Sequence, residues 1–273
     1  MTKKLVFAGC SFTAGHGWLP GAQVACKESP YLWVNLCHQN INKFQDLDLI
    51  NVGQGGASNT QIFENAIEAI VRHQNNIDTI IVQWTAMPRY CWNVGFELWD
   101  TSESLAHDKN RVHDHHLSNG TVYTQNYITD LRNRLLATHH LHWEILKLLR
   151  YADVLSTSCA NHGIHCFFVN GICPWDLEYF TRLHNAMPED YTPFTKKEIL
   201  EIEHRSDQDI IELYTRMHDA YDQYPIQSTA WANLYDSFYH NRIDFNYDDQ
   251  HPGIKSNQIF CQMVKNFIDS QPV

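Results

Sequence analysis

The chain has 273 residues, of which 44% are hydrophobic and 19% are charged. This profile is typical of a folded globular protein and excludes a disordered chain, and no apolar run is long enough for a membrane-spanning helix. The net charge of −11 argues against a protein whose main partner is a nucleic acid backbone.

The first residues favour a cytoplasmic protein. The apolar run over residues 5–8 is too short for the core of a signal peptide, and no cleavage-like sequence follows it. The eight cysteines contain no C-x-x-C pair, which favours reduced thiols over a disulfide framework. We therefore expect a cytoplasmic location, while the oligomeric state stays open.

Four short apolar runs predict buried strands, over residues 4–9, 47–53, 77–84 and 164–172. Each run is nearly continuous in apolar character, which a strand buried on both faces requires. Helical periodicity predicts helices over residues 31–40, 59–73, 131–161 and about 255–268. The alternation predicts an α/β fold with a parallel sheet of about five strands between helices.

Two segments interrupt this alternation, at about residues 87–128 and 175–240. The first is rich in aromatic and polar side chains, and its run Ser118-Asn119-Gly120-Thr121 predicts a hairpin turn. Because no linker is evident, we expect one domain over residues 1–273. Both segments are then insertions at the carboxyl ends of strands, where α/β proteins place their sites.

The first predicted strand runs into Gly9-Cys10-Ser11-Phe12-Thr13. A serine directly after a parallel strand projects into the crevice at the carboxyl edge of the sheet. The segment lacks the glycine and lysine pattern of a phosphate-binding loop. Taken alone, it is equally typical of an ordinary strand-to-helix turn.

The second predicted strand runs into Asn51-Val52-Gly53-Gln54-Gly55-Gly56. Its glycines allow backbone angles that turn an N–H outward, as a donor to an oxyanion requires. The alternative is an ordinary loop before a helix, capped by Ser58 or Asn59.

A third segment places Asp248 three residues before His251, in a loop that precedes the last predicted helix. An acid in this position can hold one imidazole nitrogen while the other nitrogen takes a proton from a serine hydroxyl. The alternative is a polar loop that only leads into the helix.

The three segments occur in the order that characterises the SGNH, or GDSL-like, hydrolases, and the chain resembles this family over residues 4–268. The resemblance implies a three-layer α/β/α sandwich of flavodoxin-like type, acyl hydrolysis or transfer, and no cofactor. It implies Ser11 as the nucleophile, His251 as the base and Asp248 as the group that orients it. The backbone N–H groups of Ser11 and Gly56 are the implied oxyanion donors.

One block departs from the family. The family places G-x-N-D after its third strand, and that asparagine is an oxyanion donor, whereas this chain continues as Gln83-Trp84-Thr85-Ala86-Met87-Pro88-Arg89. Thr85 stands closest and offers a hydroxyl, with Arg89 and Asn59 as alternatives. We also expect Asn59, Trp84 and Arg89 to be candidates for binding substrate.

We therefore expect a serine-dependent ester hydrolase that removes a small acyl group from a carbohydrate-like or other hydroxylated substrate. Aromatic side chains with polar neighbours in the first interrupting segment suit sugar rings, although they can also build a small core of that segment. The expected partner is a small-molecule or glycan ester, without nucleic acid or membrane. Two alternatives stay open: an acyltransferase to a sugar hydroxyl with the same triad, and a non-catalytic binding protein with a degenerate site. Histidine clusters at 113–116 and 139–142 lack closed ligand geometry, so we expect no metal.

Overall fold

The computed structural model describes residues 2–18, 25–85, 90–94, 97–101, 115–116, 122–123, 141–171, 237–238, 241–246 and 251–271. Its strands are β1 (Lys4–Ala8), β2 (Asp48–Asn51), β3 (Ile77–Trp84), β4 (Tyr90–Val94), β5 (Glu97–Thr101), β6 (His115–His116), β7 (Val122–Tyr123) and β8 (His165–Asn170). Its helices are α1 (Ser11–Ala14), α2 (Trp33–Asn40), α3 (Asn59–His73), α4 (Leu141–Asn161) and α5 (Ile254–Ser270).

The main sheet is parallel and has the order β2-β1-β3-β8. β1 therefore lies between two neighbours, and its residues from Leu5 to Ala8 are all buried. Helices cover the sheet, α2 packing against α5 and α3 against α4. This arrangement confirms the predicted α/β fold, with four strands of the main sheet in the described residues where about five were expected.

Helix α3 shows why periodicity predicts such elements well. Ser58 begins it as the N-cap, and its side chain accepts a hydrogen bond from the backbone N–H of Gln61 at 3.2 Å. Ile62 and Ile70 lie on its buried face. The helix begins and ends where the sequence predicted, because one apolar stripe must face the sheet.

The interrupting segments are described only in part. In the first, β4 pairs antiparallel with β5, and β6 pairs antiparallel with β7. Residues 118–121, where the sequence predicts a turn, lie outside the described residues. Within the described ranges, no helix has both the length and the apolar character needed to cross a bilayer.

Candidate active site

The nucleophile turn, residues 10–16, follows the central strand β1 directly. Ser11 is the first residue of α1 and is 6% exposed. The helix is a single turn, and Gly15 ends it in the left-handed region with a φ of 78°. Ser11 therefore stands at the carboxyl edge of the sheet, as predicted from its place after a buried strand.

The loop after β2 carries the predicted oxyanion glycine. Gly56 has a φ of +76°, and a Cβ built on it would meet nothing within 4 Å. The backbone angle rather than crowding therefore favours glycine here. The side chain of Asn51 ties this loop to the nucleophile turn, donating to the carbonyl oxygen of Thr13 at 2.7 Å and accepting from the N–H of Gly53 at 2.9 Å.

A half-buried cation contacts the end of β2, just before the same loop. The Nζ of Lys27 donates to the carbonyl oxygen of Asn51 at 2.9 Å. Burial lowers the pKa of Lys27, because a desolvated ammonium is less stable in its charged form.

The structure brings His251 to the nucleophile turn. Its imidazole lies 5.8 Å from the ring of Phe12 in an edge-on contact, and 6.0 Å from the ring of His16, centroid to centroid. Phe12 follows Ser11 in the chain, and the backbone N–H of His16 donates to the carbonyl oxygen of Ser11 at 3.1 Å. Side chains of the turn thus lie beside the imidazole, which places His251 and Ser11 on the same edge of the sheet.

The histidine loop, residues 251–253, accepts hydrogen bonds from one buried side-chain amide, that of Asn257. The Nδ2 of Asn257 donates to the carbonyl oxygens of Pro252 at 3.0 Å and Gly253 at 2.8 Å. Its Oδ1 accepts from the backbone N–H of Trp33 at 2.9 Å. Asn257 therefore fixes the loop to the start of α2.

Residues 244–246 hold the other side of the histidine loop. The N–H of Asn246 donates to the carbonyl oxygen of His251 at 2.9 Å, and the N–H of Gly253 donates to the backbone carbonyl oxygen of Asp244 at 3.0 Å. The carboxylate of Asp244 accepts from the backbone N–H groups of Lys255 at 2.9 Å and Ser256 at 2.7 Å, and from the Ser256 hydroxyl. Asp244 thereby caps α5, whose N-cap position is a glycine.

Two opposing effects act on the pKa of Asp244. Burial raises it, but the hydrogen bonds from the Ser256 hydroxyl and the two backbone N–H groups, together with the charge of Lys255, lower it. The net result is a pKa below the ordinary value, as expected for a carboxylate that accepts several hydrogen bonds. This carboxylate is ionised at neutral pH and committed to the helix end.

Asn59, the first residue of α3, links the end of β3 to the loop after β2 that carries Gly56. The N–H of Thr85 donates to the Oδ1 of Asn59 at 2.8 Å, and the Nδ2 of Asn59 donates back to the Thr85 carbonyl oxygen at 3.3 Å. Thr85 is 3% exposed, and its Oγ1 has no hydrogen-bond partner among the described residues. The amide of Asn59 thus engages the backbone of Thr85 and leaves the hydroxyl uncommitted.

The remaining candidates have different placements. Trp84 is 1% exposed, and its ring stacks on Phe168 with centroids 5.7 Å apart. It belongs to the core, so we leave it out of the proposed binding site. Arg89 and Asp248 lie outside the described residues, Asp248 in the short connection between Asn246 and His251.

Sequence reasoning missed four side chains that surround these segments: His16, Gln83, Asp244 and Asn257. Two of them left a signal in the sequence. Gln83 interrupts the apolar run of β3 next to its end, and Asn257 lies among the buried residues of α5. A polar residue in a buried run has to find a partner, which marks it for attention.

No family model matches the chain, and no curated protein matches its sequence. Solved structures do align along nearly its whole length. They include a lipase/acylhydrolase from Enterococcus faecalis (10% identity, 98% of this chain and 95% of that one, TM-score 0.42). An M. smegmatis aryl esterase is 10% identical, the alignment covers 98% of this chain and 99% of that one, and the TM-score is 0.44. A carbohydrate acetylesterase family member from Sinorhizobium meliloti is also 10% identical, with 98% of this chain and 97% of that one covered and a TM-score of 0.42. Because the TM-scores are below 0.5, the chemistry proposed below rests on the residues of the site itself.

Proposed function

We propose that this chain is a serine-dependent ester hydrolase of the SGNH type, in which Ser11 is the nucleophile and His251 the base. One observation carries the proposal: the imidazole of His251 lies beside the turn that begins with Ser11, although the two residues come from opposite ends of the chain. Nucleophilic acyl chemistry requires a histidine within reach of the serine, and a histidine packed against the serine's own turn supports that arrangement.

The reaction follows from the roles of these groups. Ser11 Oγ attacks the ester carbonyl carbon while His251 takes the hydroxyl proton. The tetrahedral intermediate then collapses, and His251 gives that proton to the departing alcohol. A water molecule attacks the acyl-enzyme in the same way, which releases the acid and restores Ser11. In this scheme Asp248 holds the imidazole in the tautomer that can accept the proton.

The oxyanion of the intermediate needs donors that are in place before the reaction. We assign this role to the backbone N–H groups of Ser11 and Gly56 and to the hydroxyl of Thr85. The Thr85 hydroxyl is buried and has no partner among the described residues, and Asn59 ties its backbone to the loop that carries Gly56. A buried hydroxyl without a partner is costly unless it serves a ligand or a transition state.

The substrate that we propose is an ester of a small acyl group with a carbohydrate-like or other hydroxylated alcohol. The support is the aromatic and polar composition of the segment over residues 87–128, together with the half-buried imidazoles of His16 and His251 that lie next to each other at the site. Hydroxyl-bearing ligands are held by a few polar groups set among aromatic surfaces.

A fluorophosphonate probe tests the proposal directly, because it reacts with serines that a neighbouring base activates. The natural chain should be labelled, Ser11→Ala should not, and Ser158→Ala, which changes a serine on α4, should be labelled like the natural chain. Turnover of acetylated sugars and simple acetate esters then separates the enzyme from a binding protein, and transfer to an added sugar acceptor separates an acyltransferase. Equal labelling of the Ser11→Ala variant and the natural chain would contradict the proposal.

A further inference from the structure

One buried amide, the side chain of Gln83, lies beneath the nucleophile turn. Its Oε1 accepts a hydrogen bond from Thr13 Oγ1 at 2.7 Å, and its Nε2 donates to Cys10 Sγ at 3.3 Å. Cys10 precedes Ser11, and Thr13 follows it by two residues. Gln83, which is 0% exposed, therefore holds the turn on both sides of the proposed nucleophile.

The amide has one orientation that satisfies its neighbours. Its Nε2 also donates to the carbonyl oxygen of Trp84 at 3.0 Å, and this carbonyl accepts the N–H of Gly171 at 2.8 Å. A flipped amide would set its oxygen against that carbonyl oxygen, which cannot donate. The carbonyl of Trp84 thus keeps Oε1 of Gln83 directed at Thr13.

The space around the amide is closed on the side of β8. A Cβ on Gly171 would lie 1.6 Å from Nε2 of Gln83, so any side chain there would displace the amide. Glycine after β8 is therefore required by the close approach of Gln83. The side chain has a fixed place between β1 and β8.

The nucleophile turn needs such support because it cannot hold its own shape. Helix α1 has four residues, and its N-cap, Cys10, makes no side-chain capping hydrogen bond. A single helical turn is unstable unless other groups stabilise it. Neighbouring strands supply these groups at Thr13: Gln83 from β3 bonds its hydroxyl, and Asn51 from β2 bonds its carbonyl oxygen.

We infer that Gln83 is a positioning residue that holds Ser11 in its reactive geometry. The inference rests on the proposed function, because it assigns Gln83 a part in the same reaction without contact to substrate. Misplacing a reacting group by about 1 Å can lower a rate by about a hundredfold. The turn that Gln83 holds is where such a displacement would arise.

Three variants test the inference. Gln83→Met keeps the length of the side chain and removes its hydrogen bonds, Thr13→Val removes only the hydroxyl, and the double variant removes both partners. We expect each to lower kcat and the rate of fluorophosphonate labelling by about ten- to a hundredfold, with KM changed by less than about threefold. Thr79→Val, which changes a buried threonine at the other end of β3, should keep the labelling rate of the natural chain.

The double variant separates positioning from stability. Replacing both partners of a buried hydrogen bond by apolar groups can be nearly neutral for stability, so its Tm should return toward that of the natural chain. Its labelling should stay slow, because the turn is still not held. Recovery of both Tm and labelling rate, or natural labelling rates in folded single variants, would overturn the inference.

If Gln83→Met does not fold, Thr13→Val decides the question by the same readouts. If the natural chain is not labelled at all, the proposed function fails and the inference fails with it. Labelling of the natural chain that Ser11→Ala abolishes and Thr13→Val leaves unchanged would instead contradict the inference and leave the proposed function standing.

Discussion

The nucleophile turn and the histidine loop lie side by side but are held in different ways. The turn follows the central strand of the sheet, and Ser11 to Ala14 are all buried. The histidine loop lies outside the sheet, and His251 is only partly buried. Side chains of the flanking strands hold the turn by hydrogen bonds, whereas the loop is held by the Asn257 side chain from α5 and by backbone hydrogen bonds with Asp244 and Asn246.

This difference separates two kinds of vulnerability. The turn shares the core of the sheet, so a change in it affects packing as well as chemistry. The loop is connected through a few hydrogen bonds, of which one side chain, Asn257, supplies two, so one substitution can loosen the position of His251 while the sheet stays folded.

The largest effect is expected at the base itself. His251→Ala should lower kcat by about 10⁴- to 10⁶-fold, because it removes the proposed general base. His162→Ala, at an exposed histidine after α4, is the matched control and should keep full activity. Ester hydrolysis and probe labelling measure both. A His251→Ala variant with the kcat of the natural chain would show that the histidine loop has no part in the reaction.

The next effect is expected at the edge of the sheet. Thr85→Val keeps the shape of the side chain and removes the hydroxyl, so kcat should fall about ten- to a thousandfold while KM changes little. Thr79→Val is the control on the same strand. Thr85→Asn, which restores the residue type of the family, should keep or raise kcat. If Thr85→Val is as active as the natural chain, Thr85 is structural and two backbone donors suffice.

A smaller effect should show how the histidine loop is held. Asn257→Ala leaves the carbonyl oxygens of Pro252 and Gly253 and the N–H of Trp33 without their partner, which should cost about 1–3 kcal/mol of stability. At temperatures well below Tm, where nearly all of the variant is folded, its activity should still be lower than that of the natural chain. Asn266→Ala, on the exposed face of α5, should change neither quantity. Equal effects of the two variants would contradict the assigned role.

The smallest effect concerns acid stability. Because the pKa of Asp244 is lower in the folded chain than the value of about 3.9 in an unfolded one, its contribution is complete above about pH 4 and is lost as the pH falls through the folded pKa. Asp244→Ala should cost about 1 kcal/mol at neutral pH, as loss of a helix cap does.

Denaturant unfolding from pH 7 down to pH 2.5 provides the measurement. The curves of the natural chain and of Asp244→Ala should converge as the pH falls, while those of Asp269→Ala, which changes an exposed acid at the end of α5, should run parallel to the natural curve. Curves for Asp244→Ala that stay equally far from the natural curve at every pH would show that the charge of Asp244 is not what stabilises the helix end.

Much of the fold could be predicted because the buried positions of a strand or helix give a recognisable spacing of apolar residues in the sequence. β3 and α3 begin and end where the sequence predicted them. β2 is shorter than expected, because only Asp48–Asn51 pairs with β1. An apolar run shows that a strand is buried, but the length of its ladder depends on the register of its neighbour.

The candidate site could be predicted in part for a related reason. The order of the segments around Ser11, Gly56 and His251 is visible in the sequence, and the structure brings Ser11 and His251 to one edge of the sheet. The burial of Trp84 could not be predicted, because a strand that is buried on both faces does not show which side chain faces the crevice. Partners of Gln83 and Asn257 lie far away in the chain, and only the folded register pairs them.

The hydrogen bond between Trp33 and Asn257 joins residues that are 224 positions apart. The entropy lost in closing a flexible loop grows only with the logarithm of its length, so doubling such a loop costs about 0.6 kcal/mol. Bringing Trp33 and Asn257 together therefore costs only about 0.6 kcal/mol more in chain entropy than joining residues half as far apart. The early and late parts of the chain that form the candidate site can thus be joined almost independently of how much chain lies between them.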